Sequence, residues 1–179
     1  MLDEFDSSVP EAFVSINNAL ANSYFTFPDV AGGTVCKNER CYIIAAGNTT
    51  GRGADSEYTG RYALDIATLD RFFPVVCKYD RAIELKLANG DSELVNFIHD
   101  YRAAIKRANI SALATYRAIN SVVKFQTYGD DIPHALRFGL TGTLPADDVK
   151  IIAENIPQTN KYAKALYSVV EILTEEEKD

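Results

Sequence analysis

The hydrophobic pattern changes period between residues 80 and 90, and a chain that does this is expected to fold as two unlike parts. Before the change, strand-like and helix-like segments alternate. SSVPEAFVSINNALAN offers Ser as an N-cap, Pro10 near the first helical position, and Val9, Phe13, Ile16 and Leu20 at three-to-four spacing. One amphipathic helix is predicted there. SYFTF and GTVCK flank PDVAGG, whose two glycines can take positive φ, so a hairpin is expected. CYIIAA and FPVVCKY are continuous apolar runs rich in β-branched residues, and they read as strands covered on both faces. The first part should therefore be an α/β layer.

After the change the pattern is helical throughout. In DSELVNFIHDYRAAIKRAN the residues Leu94, Ile98, Tyr101, Ile105 and Ala108 form one stripe, with Asp91 as the cap. Further helices are predicted in SALATYRAINSVVKFQTYG, DIPHALRFG, LPADDVKIIAENI and NKYAKALYSVVEIL, the third of these carrying Pro145 and two Asp in its first turn. The charged end TEEEKD reads as a frayed tail. The expected fold class is α/β followed by all-α, with residues 1–85 as the mixed domain and 86–179 as a helical bundle.

Composition excludes several classes of function. The formal charge of −7 argues against a surface given over to nucleic acid, which needs Lys and Arg concentrated on one face. No apolar run approaches the roughly 20 residues of a membrane span, and no signal-peptide pattern opens the chain, so a cytoplasmic protein is expected. Cys36, Cys41 and Cys77 lack CxxC spacing, and His99 and His134 lie far apart. Reduced thiols are expected, without a zinc site.

Two stretches carry candidate chemistry and could form one device. In MLDEFD, Asp3 and Glu4 are adjacent carboxylates that could both reach the crevice at the end of a strand, one holding hydrated Mg²⁺ and the other polarising a water. Simple solvation of the chain's first residues is the plain alternative. In CYIIAAGNTTGRG, Asn48 stands at the tip of an apolar strand, where an amide can orient a water beside a phosphate; turn chemistry is its alternative. Arg71 in ALDIATLDRFF could project from a short helix or belong to ordinary surface. Arg117, Asn120 and Lys124 share one helical face, opposite Leu113, Tyr116 and Val123.

In this order and spacing the features resemble the AAA+ ATPases, more narrowly the MoxR-type and cobaltochelatase-small-subunit-like branch. LDEFD looks like the end of a Walker B strand, and YFTFPDVAGGTVCKNERCYIIAAGNT like the hairpin leading into the sensor 1 strand. YALDIATLDRF is similar to the arginine-finger segment, ISALATYRAINS to the sensor 2 helix, and FGLTGTLPADDVKIIAENI to the lid helices beyond it. The resemblance implies that Asp3 ligates Mg²⁺ through water, that Glu4 is the catalytic base and that Asn48 is sensor 1. It further implies that Arg71 is an arginine finger serving a neighbouring subunit and that Arg117 is sensor 2, with Arg61 a weaker second cross-subunit cation. ATP and Mg²⁺ would be the cofactors. The partners would be other copies in a hexameric ring and a protein substrate, chelatase or co-chaperone-like protein.

The chain departs from that family in having no GxxxxGK[ST]. The backbone cradle and Lys that bind phosphates are therefore missing, and tight ATP binding by this chain alone is not expected. A truncated or misplaced start is the simplest account, and natural loss of the P-loop the second. The rival readings are a non-catalytic AAA+-like assembly or binding module, and an unrelated α/β plus helical domain in which these residues are structural.

Overall fold

The computed structural model describes residues 1–10, 12–26, 32–54 and 58–177. Its contacts divide the chain into two units, Met1–Val76 and Cys77–Asp179. The first unit mixes helix and sheet, and the second is helical.

In the first unit, helix α1 (Ala12–Asn22) begins two residues after Pro10 and buries Phe13 and Ala19. Val9, expected on the buried stripe, is half exposed. The predicted hairpin forms as strands β1 (Tyr24–Thr26) and β2 (Thr34–Cys36), antiparallel with Phe25 opposite Val35. The PDVA part of its loop lies outside the described residues. A one-turn helix, α2 (Ile66–Leu69), precedes Arg71.

The two expected buried strands are a correction. Within residues 41–46 only Ala45 makes a bridge, a parallel one to Leu2, and residues 73–79 belong to no strand. Tyr42, Phe73 and Val75 are 83%, 98% and 82% exposed, and the three free cysteines are exposed as well. Burying a strand on both faces takes sheet neighbours and covering helices. Among the described residues, the backbone of 41–46 is bridged to another segment only along the edge facing the chain's first residues, and nothing covers 73–76. The one sheet among the described residues is the two-stranded antiparallel pair.

The helical unit follows the periodicity closely. It opens with α3 (Arg81–Leu87), unforeseen from the sequence, whose cap Asp80 accepts from the Ala82 and Ile83 amides. Helix α4 (Ser92–Ala108) is capped by Asp91, which accepts from Leu94 N at 3.0 Å, and it buries Leu94, Ile98, Tyr101 and Ile105 as the stripe required. Helix α5 (Tyr116–Tyr128) starts later than predicted, because Thr115 caps it and SALA stays outside. Its buried side is Ala118, Ile119 and Val122, with Tyr116 and Val123 of the expected apolar side partly buried against the core; Leu113, expected beside them, is exposed and precedes the helix. Arg117, Asn120 and Lys124 are exposed as predicted. Helices α6 (Ile132–Leu136), α7 (Ala146–Glu154) and α8 (Lys161–Glu176) complete the bundle. Its core includes Phe97, Ile119, Leu136, Ile152, Tyr162 and Leu166, each contributing roughly 1.5–3 kcal/mol on burial. Among the described residues no helix is long and apolar enough to cross a membrane.

Between α6 and α7 the chain makes a π-helical turn, Arg137–Thr141. Gly139 lets this turn pack closely on α5: a Cβ there would lie 2.7 Å from the Val122 backbone nitrogen. The acidic end of the chain is docked through Glu177, contrary to the frayed tail expected. Arg137 grips Glu176 Oε2 with Nε at 3.0 Å and Nη2 at 2.6 Å, and Glu177 Oε1 accepts from Ala146 N at 3.0 Å. Glu177 thus caps α7, whose own N-cap residue Pro145 offers no side-chain acceptor. Glu177→Ala is expected to cost about 0.5–1 kcal/mol and lower the melting temperature, with Glu177→Gln closer to the parent because it keeps an acceptor. Calorimetry of the two variants checks this.

Candidate functional site

The first residues and the stretch after CYIIAA are brought together. Leu2 N donates to Ile44 O at 2.7 Å, Ala46 N to Leu2 O at 2.8 Å, and Phe5 N to Ala46 O at 3.0 Å. This short parallel pairing leads into the turn at Glu4 and brings Phe5 and Asp6 against the Gly47–Asn48 turn. At Glu4 the backbone takes a left-handed conformation (φ 48°) and turns into a 3₁₀ segment, Phe5–Ser7, held by Ser7 N and Oγ on the Glu4 carbonyl.

The centre of the arrangement is Asp6, which the sequence did not single out. It is fully buried. Its Oδ2 accepts from Asn48 N at 3.1 Å, Thr49 N at 2.7 Å and Thr49 Oγ1 at 2.8 Å, while its carbonyl accepts from Tyr62 N at 3.0 Å. Arg61 Nη1 lies 3.5 Å from Asp6 Oδ1 and 3.6 Å from Glu4 Oε2. Burial alone would push the Asp6 carboxyl up; the Thr49 hydrogen bonds and the Arg61 charge outweigh it and hold it below the ordinary aspartate value. Gly47 is required by this approach, since a Cβ on it would sit 2.8 Å from the Phe5 ring and 2.9 Å from Asp6 Cγ. Phe5 packs edge-on against Phe13 and tilted against Phe72, with ring centroids 6.1 Å apart in both pairs, which anchors the turn to α1 and to the segment after α2.

The other sequence-predicted residues fall as follows. Asp3 accepts from Glu4 N at 3.0 Å, and the Glu4 side chain is two-thirds exposed. Asn48 joins the cluster through its backbone amide. Arg71 is exposed and its guanidinium donates to the Ala67 carbonyl, one turn back along its own chain. Arg117 lies in the helical unit, exposed on α5. Arg61, the weaker candidate for a second cross-subunit cation, pairs with Glu4 and Asp6 within this chain. The structure therefore joins Glu4 and the Asn48 backbone amide with Asp6, Thr49 and Arg61, whereas Asp3 bonds the amide of its neighbour Glu4 and Arg71 bonds back onto its own segment.

Among the described residues no three His, Cys, Asp or Glu side chains are grouped to hold a metal ion. Mg²⁺ needs less than that, because it keeps several waters and uses one or two carboxylates plus phosphate oxygens. Asp3 and Glu4 have the donor chemistry for that role, and the Arg61 guanidinium, 3.6 Å from Glu4 Oε2 and 3.5 Å from Asp6 Oδ1, competes with a cation at both of those oxygens. Thr49 and Asp6 left no signal in the sequence: an Asp after Phe5 and a Thr after Asn48 are ordinary turn residues until the two segments meet.

The helical unit holds a second buried charge cluster. Glu84 is fully buried, 2.5 Å from both His99 Nε2 and Arg102 Nη1. Burial by itself raises the Glu84 carboxyl, and the His99 and Arg102 hydrogen bonds reverse the balance to a lowered value. A cleft of about 310 Å³ nearby, lined by Ala88, Asp91, Leu94, Gln126 and Tyr162 among others, contains none of the predicted site residues. Compared with protein-family models, with curated proteins and with solved structures, the chain matches none.

Proposed function

We propose that this chain carries the Walker B, sensor 1, arginine-finger and lid portion of a ring-forming AAA+ ATPase of the MoxR-type or cobaltochelatase-like branch, which couples ATP hydrolysis to remodelling a protein or chelatase partner. The observation that supports this reading is the parallel pairing of Leu2 with Ala45, with Asp3 and Glu4 following one paired segment in the chain and Asn48 following the other. An acid pair beside an amide is what in-line attack of water on a phosphate requires. Bound Mg·ATP would supply the phosphoryl group and the charge that Asp3 holds through water. In this reading Glu4 takes a proton from the attacking water and Asn48 orients that water. Arg71 would leave the Ala67 carbonyl to reach a neighbouring subunit, and Arg117 would act from the lid. The phosphate cradle would have to come from polypeptide outside these 179 residues.

The coding sequence upstream of Met1 is the first test: an in-frame GxxxxGK[ST] within about a hundred residues is expected. In the protein so extended, Glu4→Gln should retain nucleotide binding and lose most turnover, since water activation is removed while the metal position remains. Mixing that variant with Arg71→Ala subunits should restore part of the activity if the finger serves its neighbour. Normal turnover in Glu4→Gln would reject the assignment. An upstream sequence without a P-loop would favour the non-catalytic assembly module.

A further inference from the structure

We infer that Arg102 acts as a three-way clamp that locks the first residues of the helical unit, so that ordered structure in that unit begins at Tyr79, ahead of α3. Arg102 lies on α4, yet its guanidinium engages three segments remote in sequence. Nη1 bonds Glu84 Oε1 on α3 at 2.5 Å, and Nε donates to the Ala114 carbonyl before α5 at 2.6 Å. The flat face of the guanidinium covers the Tyr79 ring, with Cζ 3.6 Å from its centroid. Tyr79 in turn meets Tyr116 edge-on at 5.2 Å, and Tyr116 Oη accepts from Asp80 N at 2.6 Å. Residues 79 and 80 are thereby fastened to α4 and α5 before the first turn of α3 begins.

Immediately upstream the situation reverses. The backbone of residues 73–78 makes no hydrogen bond among the described residues, and Phe73, Val75 and Val76 are largely exposed. Contacts divide the chain at Val76, within this stretch. Six unpaired residues ending on a clamped aromatic form a tether of about 20 Å at most with a fixed far end. Arg suits the clamp because one planar group can pair with a carboxylate, bond a carbonyl and stack on a ring together, which an ammonium cannot.

The inference is independent of the ATPase reading and is tested on the 179-residue chain by amide hydrogen exchange. In the parent protein the amides of residues 75–78 should exchange near the unprotected rate, whereas Asp80 N–H is protected. Arg102→Lys keeps a positive charge for Glu84 and removes the stack and the fork. It should speed exchange at Asp80 by about tenfold or more while α7 and α8 keep their protection. Should that variant fail to fold, Tyr79→Leu, which leaves the Glu84 pair intact, must give the same local loss. Protection of residues 75–78 equal to that of Asp80, or unchanged Asp80 exchange in whichever variant is folded, would overturn the clamp.

Discussion

Glu84→Ala is expected to destabilise the helical unit by about 3–5 kcal/mol, a large fraction of a typical domain's total stability. The loss does not come from the carboxylate alone. Removing it leaves the Arg102 guanidinium, only 18% exposed, without its counter-ion, and it releases His99 from its acceptor. Arg102 Nη2 is already buried without a hydrogen-bond partner, so the cluster has no reserve acceptor. Replacement by Gln, which keeps one carbonyl oxygen, should cost less than Ala. Chemical denaturation of the three proteins reads this directly, and equal midpoints for parent and Glu84→Ala would show that the pair contributes nothing. Because the folded Glu84 carboxyl is held below its unfolded value, its contribution is present above the unfolded value. It is lost as pH falls through the depressed folded value, in the acid range below ordinary carboxylates.

Asp6→Ala is the corresponding experiment in the first unit, with an expected loss of about 3 kcal/mol. Three donors, the Asn48 and Thr49 amides and the Thr49 hydroxyl, lose one acceptor together, and Arg61 loses its buried partner. Asp6→Asn should fall between, since an amide oxygen can accept where Oδ2 does but carries no charge for Arg61. The lowered Asp6 carboxyl gives the same sign of pH dependence as Glu84: the stabilisation holds above the unfolded value and disappears as pH falls through the folded one. Backbone amide shifts of Asn48 and Thr49 followed through an acid titration would report the same event locally. A site unchanged in Asp6→Ala would remove Asp6 from the centre of the arrangement.

Which features could be read in advance follows from the range of the forces involved. The helices of the second unit were legible because a helix is a local object: Asp91 caps α4 through a bond three residues away, and Leu94, Ile98, Tyr101 and Ile105 declare their common face by spacing alone. The short hairpin of β1 and β2 was legible for the same reason, with its turn residues close in sequence. Segment 81–87 escaped notice because it is short and carries a charged residue, Glu84, on its buried face, which periodicity counts as a polar break.

By itself, the sequence determined that a mixed part precedes a helical one, most helix positions, the Asp91 cap of α4, and the residue types offered near positions 3, 4 and 48. Only the tertiary structure decided that Leu2 pairs with Ala45, that Asp6 rather than Asp3 is buried, that Arg61 answers it, and that Glu84, His99 and Arg102 share one buried site. The apolar runs at 41–46 and 73–79 make the same point from the other side. Their composition suits a buried strand, but a strand's hydrogen bonds and cover come from other segments: among the described residues 41–46 is paired along one edge alone, and 73–78 has no backbone partner while Val75 and Val76 stay exposed. A charge's partner, like a strand's neighbour, lies tens of residues away along the chain, and no local pattern carries that distance.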